Sequence, residues 1–333
     1  MRGDQRTPNS IKRRTPMKKL LGLTLAAGLM LPGAAMADWP AGQPINLVVA
    51  YSAGGGTDIL ARTMVPFLER YIEGARFVVV NRPGAGGEFG FTESANATPD
   101  GYTIGFVNAP AFLTLPYERQ TRYTFESFEP IANLVTDPAS LIVRADSNIE
   151  SLEQFVAYAK ENPNALTVGQ QGYGGSMHLS LEAMLRSAEI EVTQVPFPGI
   201  PPASTALLGG HIAANMWGLG EAAPLAKEGA IRVLGVMARD RVALYPDAPT
   251  FAEQGYDLFS GSDRGFAAPA GTPQEIIDTL GAAIERTLQD PEFLAAAEAQ
   301  FLPLNYMGPA EYKAYLGELN QQIGQLWETN PWR

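Results

Sequence analysis

The sequence predicts an α/β protein built as two lobes, on three observations. Short apolar runs bounded by turn residues alternate with helical patterns, that rhythm breaks off near residue 137 and returns, and strand-to-helix turns in both halves are rich in glycine. The first series reads strand 45–50, helix 57–71, strand 77–80, helix 88–95 and strand 103–107. Each strand meets the next through a helix, the βαβ unit of a parallel sheet. The second series reads helix 151–160, strand 166–168, helix 176–187, strand 192–195, helix 201–208, strand 212–216, helix 220–227 and strand 231–237. A strand at 265–268 then leads into helices at 273–288, 291–299 and 309–327, where Pro273, Pro291 and Pro309 fall in first turns that tolerate proline. Strands at 131–135 and 141–143 flank Asp137-Pro138, the expected outward crossing between lobes, with the return at 262–266. The first lobe is then 38–137 with 264–333, and the second 138–263.

Met17-Lys18-Lys19, the apolar run 20–31 and Ala35-Met36-Ala37 read as a secretory signal peptide, so the mature chain is expected to begin at Asp38. Arg13-Arg14 lacks the hydrophobic residue that follows in a twin-arginine signal, and Met17 is the simpler start. Loss of residues 1–37 removes seven of 24 basic and one of 35 acidic residues, leaving 17 against 34 and a net charge of −17 over 296 residues. Such a surface repels nucleic acid and anionic lipid, and its length suits two cores of ~100–200 residues each. Cysteine is absent, which excludes disulfides, thiolate metal sites, a cysteine nucleophile and a lipidated cysteine. An exported, unanchored protein is the expectation, in a periplasm.

Three glycine-rich loops each follow a strand and open a helix. Gly54-Gly55-Gly56-Thr57-Asp58 presents unpaired N–H groups at a helix start, where phosphate, carboxylate or plain close packing are all admissible readings. Thr57 is the expected N-cap, and Asp58 suits the first turn. No lysine precedes Thr57, so a Walker loop is discounted. Gly84-Ala85-Gly86-Gly87 with Gly90 misses the dinucleotide fingerprint by one residue, so no nicotinamide site is expected and no cofactor is called for. Gly172-Tyr173-Gly174-Gly175-Ser176 repeats the architecture in the second half. Two such starts, one from each lobe, can close on one anion through neutral backbone donors without a salt bridge.

Catalysis has little to stand on. Of the two histidines, His178 falls in a helix first turn and His211 at a turn; both read as structural, and no metal site is expected. Gly174-Gly175-Ser176-Met177-His178 approaches a nucleophile elbow but ends in histidine and offers Ser176 no base. An exported serine hydrolase using Ser176 and His178 is the alternative from another class. Among aromatic residues at strand ends, Tyr51 and Phe197 are favoured over Trp217 and Phe266 as ligand contacts.

In order along the chain, "SAGGGTDILAR", "NRPGAGG", "GYGGSMHLSLE", "PFPGIPPASTALLGGHI", "LYPDAPTFAEQGYD" and "GFAAPAGTP" resemble the motifs of the tripartite tricarboxylate transporter substrate-binding proteins, the TctC or Bug family. The resemblance implies a type II periplasmic binding protein, two α/β lobes that close on a di- or tricarboxylate or an aromatic carboxylate. It also implies a monomer that delivers its cargo to membrane permease subunits, with a binding component repurposed as a sensor subunit as the third reading. Carried over by motif, the first-lobe contacts are Ser52, Gly54, Gly55, Gly56, Thr57, Asp58, Gly84, Ala85 and Gly86. Those of the second lobe are Gln171, Gly172, Gly174, Gly175, Ser176, Phe197, Pro198 and Gly199. Departures from the family pattern stand at Tyr51-Ser52-Ala53, Gln170-Gln171 and Ser262-Asp263-Arg264-Gly265. Arg264 is expected either to take a distal ligand carboxylate or to pair with Asp263 or another acid.

Overall fold

The computed structural model describes residues 39–329 and Pro331; the leader reading at 1–37 lies outside the described residues. The elements, in chain order, are β1 (Ile45–Val49), α1 (Gly56–Tyr71), β2 (Phe77–Asn81), α2 (Glu88–Ala95), β3 (Thr103–Ala109), α3 (Ala111–Glu118) and β4 (Phe128–Arg144). There follow α4 (Leu152–Glu161), β5 (Thr167–Gln170), α5 (Ser176–Ala188), β6 (Thr193–Pro196), α6 (Ile200–Leu208), β7 (Ala214–Gly218), α7 (Leu219–Lys227) and β8 (Ile231–Val236). The tail comprises β9 (Gly261–Pro269), α8 (Gln274–Gln289), α9 (Pro291–Ala299), β10 (Leu304–Met307) and α10 (Pro309–Thr329).

Strand order is β2-β1-β3-β9-β4-β7-β5-β6, with β8 and β10 also paired to β4. The sheet is parallel where βαβ units build it, β2-β1-β3 and β7-β5-β6, and antiparallel wherever β4 and β9 take part. A purely parallel sheet is thus corrected to a mixed one. The two strands expected around Asp137-Pro138 are one continuous strand of 17 residues. Up to Pro138 it pairs with β9; from Ala139 it pairs with β7, and from Ser140 also with β8. Pro138 lacks an N–H, but it stands where the neighbours change and the ladder is broken in any case, so the strand runs through it.

Each end of this strand serves its own core. In the first lobe, Leu47, Val49, Leu60, Met64, Ile277 and Ile284 fill one face of the sheet beneath α1 and α8, while Phe91, Phe112, Tyr312 and Leu316 fill the other. In the second, Leu141, Phe155, Leu181 and Met216 form one layer under α4 and α5, and Ile142, Leu207, Trp217 and Leu219 the opposite one under α6 and α7. Full burial of each large side chain contributes ~1.5–3 kcal/mol. Trp217 and Phe266 are therefore core residues: the first is wholly buried, and the second packs on Phe106 with ring centroids 4.4 Å apart.

The helix α3 escapes the periodicity argument because six of its eight residues are buried and it shows no polar face. At α1 the cap is Gly55 in extended geometry rather than Thr57, which lies inside the helix. Pro273 is the residue just before α8, whereas Pro291 and Pro309 open their helices. Among the described residues no helix is long and apolar enough to cross a membrane.

Candidate functional site

The loop from β1 to α1 is shaped by its own first turn. Asp58 reaches back to accept the Gly54 N–H at 2.8 Å, and also accepts from Arg62 and Asn81, which hold its carboxyl below the usual range against the effect of burial. Asp58 is thus committed to the loop. Gly54 has φ +78°, in the left-handed region glycine favours. Gly56 is required for a different reason: a Cβ there would overlap Arg264 Nη1 and Glu221 Oε1.

Those two atoms belong to a buried ionic cluster. Arg264, on β9, donates to Asp137 Oδ2 at 2.8 Å and lies 3.4 Å from Glu221 Oε1. Asp137, at the crossing point of β4, also accepts the Gly220 N–H at 2.9 Å. Glu221, in the first turn of α7, accepts the Gly56 N–H at 2.7 Å across the interface between lobes. Burial pushes both carboxyls above their ordinary range, with Arg264 pulling them partway back, and the charge of Asp137 raises Glu221 further. Burial opposes the charge of Arg264, but Glu221 and Asp137 outweigh it and hold the guanidinium above its usual value. Asp263 is not the partner of Arg264. Alternation along the strand sends it to the other face, where it accepts from Thr136 at 2.6 Å and Tyr315 at 2.5 Å. Of the two expected roles, Arg264 takes the pairing with an acid, and its acids are Asp137 and Glu221.

Around this cluster lies a cavity of about 10 Å³ lined by Tyr51, Gly55, Gly56, Thr57 and Asn108 from the first lobe, by Gln171, Met177, Gly199, Ile200 and Glu221 from the second, and by Ser262 and Arg264 on the returning strand β9. That is room for one water. Anything larger enters only if the lobes part or a side chain moves. Polar side chains stand among apolar ones in its walls: Asn108 Nδ2 donates to Thr57 Oγ1 at 3.0 Å, and Gln171 Nε2 approaches Glu221 Oε2 at 3.5 Å. On two of the lining residues a buried atom, Asn108 Oδ1 and Arg264 Nε, has no hydrogen-bond partner. Tyr51 donates to the Gly86 carbonyl at 3.3 Å, and burial raises its phenol well above the ordinary value.

The glycine loops also meet outside this cavity. Gly84, Ala85, Gly86, Gly172, Tyr173, Phe197 and Pro198 line an outer groove of about 270 Å³ beside Arg119. A Cβ on Gly86 would strike the Tyr173 carbonyl. The hydroxyl of Ser52 donates to Pro198 O at 3.2 Å, and that of Thr114 to Gly174 O at 3.0 Å. Gly175 closes its own turn by donating to Gly172 O at 3.0 Å.

The structure thus brings the sequence-derived residues together in two places. Tyr51, Gly55, Gly56, Thr57, Gln171, Gly199 and Arg264 face the inner cavity; Gly84, Ala85, Gly86, Gly172, Phe197 and Pro198 face the outer groove. Ser52, Asp58, Gly174, Gly175 and Ser176 line neither, and Gly54 borders a third space described below. Asn108, Glu221 and Ser262 were missed. Asn108 and Ser262 carried a weak signal as polar residues in apolar strands; nothing local marks Glu221.

Ser176 donates to the Ala109 carbonyl at 3.4 Å, and His178 Nδ1 accepts the Gly174 N–H at 3.1 Å, which uses the ring's acceptor nitrogen on backbone. Among the described residues no group of three or more His, Cys, Asp or Glu is placed to hold a metal ion.

Two α/β lobes joined by long crossing strands, with a polar cavity where their loops meet, define a solute-binding protein. The chain belongs to the tripartite tricarboxylate transporter receptor family, TctC, whose model matches residues 68–328. It is 32% identical over 301 residues to the UPF0065 protein in the gbd 5′ region of Cupriavidus necator, covering 89% of this chain and 90% of that one. It superposes on the periplasmic binding protein BugD with a TM-score of 0.81 at 29% identity, covering 86% of this chain and 97% of BugD. The R. palustris protein Rpa4515, solved with adipate, matches with a TM-score of 0.81 at 27% identity, covering 88% and 98%.

Proposed function

We propose that this chain captures a small organic acid, a di- or tricarboxylate or an aromatic carboxylate, between its lobes and hands it to membrane permease subunits. The observation that carries the reading is the meeting of the α1 start, Gly55, Gly56 and Thr57, with Gln171, Gly199 and Glu221 of the second lobe around one cavity. The adipate in Rpa4515 supports the ligand class. The lobes, 38–137 with 264–333 and 138–263, part about the stretch where β4 exchanges β9 for β7 and β8. The leader-like residues 1–37 and the net charge of −17 without them suit a monomer working in the periplasm, away from nucleic acid and anionic lipid. Its work is binding rather than catalysis: the hydroxyl of Ser176 and the acceptor nitrogen of His178 are both spent on backbone groups.

A thermal-shift screen of the purified protein against C4–C6 di- and tricarboxylates and benzoates tests the reading. At least one acid is expected to raise Tm with increasing concentration, because a ligand that binds only the folded state stabilises it by mass action. Failure of the whole panel to shift Tm overturns the proposal.

A further inference from the structure

The start of α1, where a ligand acid would be expected to dock, already holds a carboxylate from the opposite lobe. Glu221 Oε1 accepts the Gly56 N–H at 2.7 Å and lies 3.4 Å from Arg264, in hydrogen-bond and ionic contacts of the kind a bound acid would make. Two carboxylates, Asp137 and Glu221, share one guanidinium there. A ligand acid added beside them brings a third negative charge to a buried site with one cation. A ligand that takes the place of Glu221 leaves the local charge unchanged.

The displaced side chain has somewhere to go. Glu221 and Arg264 form a wall between the inner cavity and a second one of about 340 Å³, bounded by Gly54, Pro224, Glu228, Gln300 and Phe301. That space is the one beside Glu221 that can take its carboxylate if the side chain turns away from Gly56. Arg264, whose buried Nε has no partner, and the α1 N–H groups then become available to the ligand, while Asn108 Oδ1, also buried and unpartnered, can accept a ligand hydroxyl.

We propose that Glu221 is an internal competitor for the ligand's acid group, seated at the start of α1 and displaced on binding, so that it sets the affinity and selectivity of the site. The proposal rests on the carboxylate reading above. It implies that the site is open to ligand only in the fraction of molecules whose Glu221 has left, and apparent affinity scales with that fraction.

The test is calorimetric titration of malate, adipate and citrate into the wild type, Glu221→Ala and Glu221→Gln, with Tm and circular dichroism to establish folding. In Glu221→Ala, Arg264 and Asp137 cancel and the α1 N–H groups face the cavity, so the tightest acid is expected to bind at least about 10-fold more strongly. Glu221→Gln, which can still accept from Gly56 but carries no charge, is expected to fall between. Equal or weaker binding by folded Glu221→Ala, with the wild type binding, overturns the competitor while leaving the carboxylate reading standing. If Glu221→Ala does not fold, Glu221→Gln decides by the same criterion. Folded proteins none of which bind any of the three acids, nor any in the thermal-shift panel, overturn both.

Discussion

The starts of α1 and α5 have the same local design, a strand running into a glycine-rich turn and then a helix, yet they satisfy their backbone groups in opposite ways. At α1 the partners are charged: Asp58 on Gly54 from within the loop, and Glu221 on Gly56 from the other lobe. At α5 they are neutral: the Gly172 carbonyl on Gly175, the His178 ring on Gly174, and the Thr114 hydroxyl, which crosses from the first lobe to the Gly174 carbonyl. The glycine pattern therefore specifies a place where backbone can be approached closely, and the tertiary neighbours decide what approaches it. The charge that α1 takes from across the interface is the carboxylate of Glu221 on Gly56.

Perturbing the ionic cluster at α1 should therefore cost most. Arg264→Ala leaves Asp137 and Glu221 buried without a counter-ion and is expected to destabilise the protein by about 3–5 kcal/mol in urea unfolding, as breaking buried pairs does. The exposed Arg62→Ala, which loses the half-solvated contacts to Asp58 and Asn81, should cost no more than about 1 kcal/mol. Equal effects would mean that the buried cluster has no special weight.

Gly56→Ala and Gly175→Ala sharpen the contrast at the next level. A Cβ at 56 collides with two charged side chains, whereas at 175 it crowds the Gly172 carbonyl at 2.9 Å, so about 2–3 kcal/mol is expected for the first and about 1 kcal/mol for the second. The reverse order would place the tighter junction at α5.

The smallest effect is on pH dependence. Glu221 has a folded-state pKa above its ordinary 4.5, so the folded state binds more protons than the unfolded one in the window that starts there. Stability from this group is thus present in acid and lost as pH rises from about 4.5 through the raised value. Asp58, held below its ordinary 3.8, does the opposite: its contribution is present above about pH 4 and lost as pH falls through the lowered value. Measured as Tm against pH, Glu221→Gln should flatten the decline on the alkaline side, and Asp58→Asn should flatten the loss in acid. A Glu221→Gln curve parallel to the wild type would show that Glu221 does not titrate in that window.

Much of the fold was legible because period and punctuation are local. The order INLVV–glycines–GTDILARTM places β1 and α1 within a residue or so, and the proline-led helices of the tail are found the same way. The unbroken β4 was not legible, because a proline is read as a stop unless the change of strand partners at that point is known. The two loop sets could be paired by likeness, yet their division into an inner cavity and an outer groove depends on Gly86 meeting Tyr173, a contact 87 positions apart in sequence. Arg264 announced itself as a lone cation in an apolar strand. Glu221 looked like any acid in a helix first turn, since its meaning comes from Gly56, 165 residues earlier.

The continuous β4 has a consequence for how the chain assembles. Every buried residue of the second-lobe cores lies between 139 and 251, while the buried residues of the first-lobe cores lie in 45–135 and again in 266–323. A nascent chain therefore possesses all of the second lobe before the first has its last strands and helices, and the amino-terminal βαβ units must wait, sheet edge unpaired, for the carboxyl-terminal tail. Synthesis order and closure order run in opposite directions, and truncation at the tail disables the end of the protein that was made first.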